Sequence, residues 1–164
     1  MDLQLKDRII IVTGGARGIG EGSVRVLANE DAIPVIVGRS EGHNNKLVNE
    51  LKAKGKQAFQ VVAELTDPAK CEEAVKSVVE KFGRIDGLVN NAAGNFIVRA
   101  EDLSPNGWKS VIDIVLNGTY FCSSEVGKYW IAMGKKGSIL NMLAQFEWKA
   151  VAGVIHAETG KAGG

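Results

Sequence analysis

The chain has 164 residues, 45% of them hydrophobic and 24% charged, and its net charge is +1. A balanced charge without a Lys/Arg block gives no electrostatic case for nucleic acid or an anionic membrane, and no apolar run approaches the roughly 20 residues of a membrane span. His43, His156, Cys71 and Cys122 fit no metal-ligand spacing, the opening "MDLQLKDR" lacks the order of a signal peptide, and the cysteines read as buried free thiols of a cytoplasmic chain.

Arg8 to Val12 reads as a short buried strand, followed by "TGGARGIG" (Thr13 to Gly20) and a helix to about Asn29 with Val24, Val26 and Leu27 on its apolar side. "AIPVIVG" (Ala32 to Gly38) is a second buried strand. "EGHNNKLVNELKAKG" is a polar surface helix with Leu47, Val48 and Leu51 on one face and Gly55 as its stop. "QAFQVVAE" (Gln57 to Glu64) is a third strand. In the next helix Thr66 or Asp67 can cap, Pro68 fits the first turn and Gly83 ends it. Its buried stripe is Cys71, Ala74, Val75, Val78, Val79 and Phe82. "GLVN" is a fourth strand running into "NAAG". Ser104 and Pro105 open one long apolar helix reaching about Met133, and "GSILNML" (Gly137 to Leu143) is a fifth strand. Short strands alternating with helices must run parallel, with right-handed crossovers and helices on both faces. The expectation is an α/β fold: one domain, residues 1–164, with a doubly wound parallel sheet of about five strands in three layers. Ligands in such sheets sit at the carboxyl ends of the strands, where the winding reverses.

"TGGARGIG" occupies such an end and opens a helix. The first helical N–H groups lack internal partners, and a phosphate fits there if no side chain obstructs it. Gly14 would permit the sharp turn, Gly18 the close approach of backbone to ligand, and Gly20 the packing of helix on strand. A tight strand-to-helix loop is the plainer reading of the same residues. An acidic residue after strand two would bind a bare ribose. This chain has Arg39 and Ser40 instead, and Arg17 projects from the glycine loop. These groups either hold a 2′-phosphate, which favours NADP(H) over NAD(H), or are ordinary surface polar residues.

"TGGARGIG", "GRIDGLVNNAAG", Asn117 within "VIDIVLNGTYF" and "GSILNM" together resemble the short-chain dehydrogenase/reductase family, whose fold is Rossmann-like. The stretch from Asn90 to about Ala162 looks most like 2,4-dienoyl-CoA reductases. The N-terminal half looks more like sugar-oxidising, fucose-type dehydrogenases, as a truncated, recombined or designed chain would. The resemblance implies that Gly14, Gly18, Ile19 and Gly20 line a pyrophosphate. Glu64 and Leu65 would meet the adenine, although the family usually has Asp at the first of these. Asn91, Ala92, Ala93 and Gly94 would lie along the adenosine ribose. It further implies an acyl-CoA substrate, a chain stopping inside the last family helix, and a homo-oligomer through the helix starting at Ser104 and the last helix.

The same resemblance raises a chemical difficulty. Most members carry Tyr and Lys four residues apart, with a Ser before them; the lysine lowers the tyrosine pKa from about 10 and holds the nicotinamide ribose. Lys161 matches the lysine, but Ala157 and Ala144 stand at the hydroxyl positions. Dienoyl-CoA reductases use a tyrosine soon after strand five and a serine at the place of Ala157. Here the first is Phe146. Of either arrangement, Asn117 and Lys161 remain as catalytic candidates, Asn117 in a water-linked proton relay. Without the family, an Asn inside a helix can bond a backbone group and widen a turn. His156 can move a proton or simply pack. Glu147, Glu158 and Thr159 read as solvated helix-start residues, and Trp108, Tyr129 and Trp130 as core or interface packing. Two functions therefore stand open: an impaired NADP(H)-dependent enoyl- or dienoyl-CoA reductase, or a nucleotide-binding module without turnover.

Overall fold

The computed structural model describes residues 3–144 and 152–164. The strands are β1 (Ile9–Thr13), β2 (Ile33–Val37), β3 (Phe59–Val61), β4 (Gly87–Asn90) and β5 (Ser138–Asn141). They form one parallel sheet in the order β3-β2-β1-β4-β5. The connecting helices are α1 (Gly18–Asn29), α2 (Glu41–Ala53), α3 (Pro68–Phe82), α4 (Pro105–Ile112) and α5 (Gly118–Ala132), and α6 (Ile155–Ala162) follows β5.

β1 is apolar at almost every position because both of its faces are covered. Ile9 and Ile11 point to the side holding Cys71, Val75 and Val78 of α3 and Cys122, Val126 and Trp130 of α5. Ile10 and Val12 point to the side holding Val24 and Ala28 of α1 and Leu47, Val48 and Leu51 of α2. Cys71 and Cys122 are free and buried, as expected. Far apart in sequence, they meet across α3 and α5 with sulfurs 3.8 Å apart.

Local signals set several helix ends. At α3 it is Asp67, not Thr66, that caps: its Oδ1 accepts from the Ala69 N–H at 2.9 Å, and Gly83 closes the helix at φ 69°. At α4 the Ser104 hydroxyl accepts from the Gly107 N–H at 3.0 Å. Asp67→Ala should lower stability by about 1 kcal/mol, read as a lower urea midpoint at unchanged slope; no change in midpoint would show that the cap is idle.

The third and fifth strands are shorter than their apolar runs suggest. β3 pairs with β2 alone, from Phe59 to Val61, after which Ala63 and Leu65 are buried while Glu64 between them stays partly exposed. β5 is the opposite edge, and Ser138, Ile139 and Leu140 are exposed there, Leu140 by 56%. The long helix expected from Ser104 to Met133 is not uniform. Between α4 and α5 the residues Asp113–Asn117 form a π-helical turn. There the helix passes so close to Leu65 that a Cβ on Gly118 would lie 3.2 Å from the Leu65 carbonyl oxygen. Among the described residues no helix is long and apolar enough to cross a membrane.

Candidate functional site

From β1 the chain winds outward to β2 and β3, and β4 then lies on the other side of β1, so the winding reverses between β1 and β4. The strand ends flanking this reversal are held by side chains. Thr13 is buried, and its hydroxyl donates to the Val89 carbonyl at 3.3 Å. The same oxygen accepts from the Asn91 N–H at 2.9 Å and the Ala92 N–H at 3.0 Å. Asn91 returns the tie, its side-chain amide donating to the carbonyls of Thr13 at 3.0 Å and Gly14 at 3.2 Å.

This clamp leaves no room for side chains at two of the glycines. Gly14 sits at φ 62°, and a Cβ there would lie 3.0 Å from the Ala92 Cα. A Cβ on Gly20 would come within 2.4 Å of the Asn91 amide nitrogen and 2.6 Å of the Gly14 carbonyl oxygen. Gly18 differs: its φ is 57°, and a Cβ there would meet only open space. Arg17, the residue before α1, makes no side-chain capping bond. The opening turn of α1 therefore presents backbone N–H groups that no side chain caps, beside open space, which fits an anionic group.

A cleft of about 280 Å³ lies over this reversal. It brings together Gly14, Arg17, Arg39, Ser40, Glu64, Leu65, Asn91, Ala92 and Ala93. Gly18, Ile19 and Gly20 begin α1 beside it, with Ile19 exposed. Arg39 lies 3.7 Å from Glu64 as an ion pair. Sequence reasoning missed several contributors: Thr13 as the clamp, and Gly38, Asn44, Ala63 and Ile114 in the lining. Asn44 is buried in the first turn of α2, and its amide donates to the Gly38 carbonyl at 3.0 Å and to Gln60 at 3.4 Å. That tie fixes the loop carrying Arg39 and Ser40. Its one trace in the pattern is that Asn44 falls on the same helix face as Leu47, Val48 and Leu51.

Asn117 and Lys161 are not among the residues that line this cleft. Asn117 ends the π-helical turn, as an Asn that widens a turn would, but its amide donates to the Asp113 carboxylate at 2.9 Å rather than to backbone. Lys109 also pairs with Asp113, and this hydrogen bond, ahead of the one from Asn117, holds the Asp113 carboxyl below its ordinary pKa. Lys161, half-buried on α6, donates to the Met142 carbonyl just past β5, and burial lowers its pKa. Among the described residues no hydrogen bond joins Asn117 to Lys161. Ala157 is 6% exposed and packs with Val111, Val115 and Val154. His156 packs rather than faces solvent: it is fully buried, its ring 4.6 Å from that of Phe96, and neither ring nitrogen has a partner among the described residues. Phe146 and Glu147 lie outside the described residues. Thr159 is exposed and its hydroxyl donates to the Ile155 carbonyl. Trp130 is core and Trp108 partly exposed. No group of three or more potential metal ligands occurs among the described residues.

The family model described as "short chain dehydrogenase" matches residues 8–164. The chain belongs to the short-chain dehydrogenase family. It is 39% identical over 159 residues to a probable 2,4-dienoyl-CoA reductase of Bacillus subtilis, covering 97% of this chain and 63% of that protein. It is 33% identical to a peroxisomal 2,4-dienoyl-CoA reductase of Arabidopsis thaliana, covering 96% of this chain and 55% of that one. A solved short chain dehydrogenase from Bacillus anthracis superposes with a TM-score of 0.92 at 46% identity, over 97% of this chain and 66% of that structure. This short-chain dehydrogenase chain thus spans between about half and two thirds of the length of these proteins.

Proposed function

We propose that this chain forms the NADP(H)-binding part of an oxidoreductase of the enoyl- and dienoyl-CoA reductase type, with weakened catalysis. The observation that carries the reading is the cleft at the winding reversal, which gathers Arg17, Arg39 and Ser40 beside the uncapped start of α1. A nicotinamide dinucleotide supplies or accepts a hydride when bound. The amide groups from Gly14 to Gly20 would hold its diphosphate. The guanidiniums of Arg17 and Arg39 and the Ser40 hydroxyl would hold a 2′-phosphate. Glu64 and Leu65 would border the adenine, Asn91 to Ala93 the adjoining ribose, and Lys161 the distal ribose.

Proton transfer is where the chain is poor. Ala144 and Ala157 offer no hydroxyl, and Ala157 is enclosed by valines. Lack of a general acid costs about 10²–10⁴ in rate. This favours a second reading, a cytoplasmic nucleotide-binding module that holds the dinucleotide without turning it over. An acyl-CoA substrate and self-association through α4 and α6 belong to the first.

The test is a fluorescence titration with NADPH and NADH. NADPH should bind about tenfold more tightly, the worth of one charge-assisted hydrogen bond; equal or tighter NADH binding overturns the preference. With a dienoyl-CoA present, loss of nicotinamide absorbance supports the enzyme, and binding without absorbance loss supports the module.

A further inference from the structure

The cleft holds a carboxylate beside its cations. Glu64, from the segment after β3, faces Arg39, from the loop after β2, and both line the cleft. Glu64 Oε1 makes only a long contact, 3.5 Å, with the Thr66 N–H, while Oε2 lies 3.7 Å from the Arg39 guanidinium. That separation is within ion-pair reach but beyond hydrogen-bond reach. Arg39 therefore keeps its N–H donors for a better acceptor while its charge is partly balanced. Both side chains reach solvent, 80% and 43% exposed, so the pair can yield without a buried charge being stranded.

We infer that Glu64 is a specificity-determining residue: it is the counterion that an adenosine 2′-phosphate must displace from Arg39, and so it sets how strongly the cleft separates 2′-phosphorylated from plain adenosine ligands. The inference rests on the nucleotide reading above. A phosphate arriving at Arg39 gains short, charge-assisted hydrogen bonds but meets the fixed negative charge of Glu64 at close range. A ligand with a free 2′-hydroxyl meets no such repulsion. Glu64 thereby narrows a preference that Arg17, Arg39 and Ser40 would otherwise make steep.

The experiment compares Glu64→Gln with the unaltered chain by calorimetric titration at low salt. The probes are adenosine 2′,5′-bisphosphate and adenosine 5′-monophosphate, which differ only in the 2′-phosphate. Glutamine keeps the shape and can still accept from Thr66. The ratio of bisphosphate to monophosphate affinity should rise about threefold to fivefold in the variant, as expected for a surface charge pair, because any contact of Glu64 with the adenine is common to both probes and cancels in the ratio. That rise should shrink in an Arg39→Ala background, where Glu64 no longer competes for a guanidinium and only its direct repulsion of the phosphate remains. Equal shifts for both probes, no shift for either, or a gain undiminished by Arg39→Ala would overturn the role of Glu64 while leaving nucleotide binding intact. Failure of the unaltered chain and Glu64→Gln to bind either probe would instead overturn the nucleotide reading, and this inference with it.

Discussion

Gly20→Ala is expected to cost about 2–3 kcal/mol, although the same change elsewhere in a helix gains up to about 1 kcal/mol. The new methyl would lie 2.4 Å from the Asn91 amide nitrogen and 2.6 Å from the Gly14 carbonyl oxygen. Asn91 can swing aside only by giving up its bonds to Thr13 and Gly14. The Gly14 oxygen is backbone in a turn already at φ 62° and has no rotamer to change. Overpacking and lost hydrogen bonds therefore exceed the gain in helix propensity. Gly22 is the internal control: it is in the same helix, and a Cβ there meets nothing within 4 Å. Thermal denaturation should show Tm falling by roughly 5–10 °C for Gly20→Ala and holding or rising for Gly22→Ala. If both variants melt above the unaltered chain, α1 does not press on the clamp as described.

The second large effect is expected at Thr13. Thr13→Val keeps the shape and the burial but removes an oxygen that serves three backbone groups. The N–H groups of Asn91 and Ala92 lose their acceptor, and each partly buried donor left unpaired costs about 1–3 kcal/mol. A total loss of about 2–4 kcal/mol follows, against less than about 1.5 kcal/mol for a volume-conserving change without a polar penalty. Nucleotide affinity should fall with it, because Asn91 and Ala92 line the cleft. Urea denaturation and an NADPH titration measure the two effects separately. A variant as stable as the unaltered chain would mean that the strand ends hold together without the hydroxyl.

Much of this was legible because several signals agreed. Around β1, an unbroken apolar run, three spaced glycines and a following helical period all required a buried strand turning tightly into a helix. In α3, capping chemistry, an N-terminal proline, a glycine stop and an apolar stripe from Cys71 to Phe82 coincided on the same bounds. What escaped the sequence were relations between segments. The Arg39–Glu64 pair exists only because β2 and β3 are neighbours. Asn44 acts only because α2 begins over the end of β2. Cys71 and Cys122 meet only because α3 and α5 share a sheet face. The π-helical turn escaped as well: it lies where the helix passes close to Leu65, which is elsewhere in the chain. Asn117 drew attention there, but its partner Asp113, one turn back, did not.

That irregular turn also governs angular bookkeeping along the rod. Each residue in an α-helix advances about 100°, so the wider loop between Ile112 and Gly118 resets the azimuth of all that follows. With this offset, Val111 looks toward Val154 and Ala157, while Cys122, Val126 and Trp130 look toward the strands. Winding the same residues as a uniform α-helix, with none removed, would rotate those three side chains off the sheet.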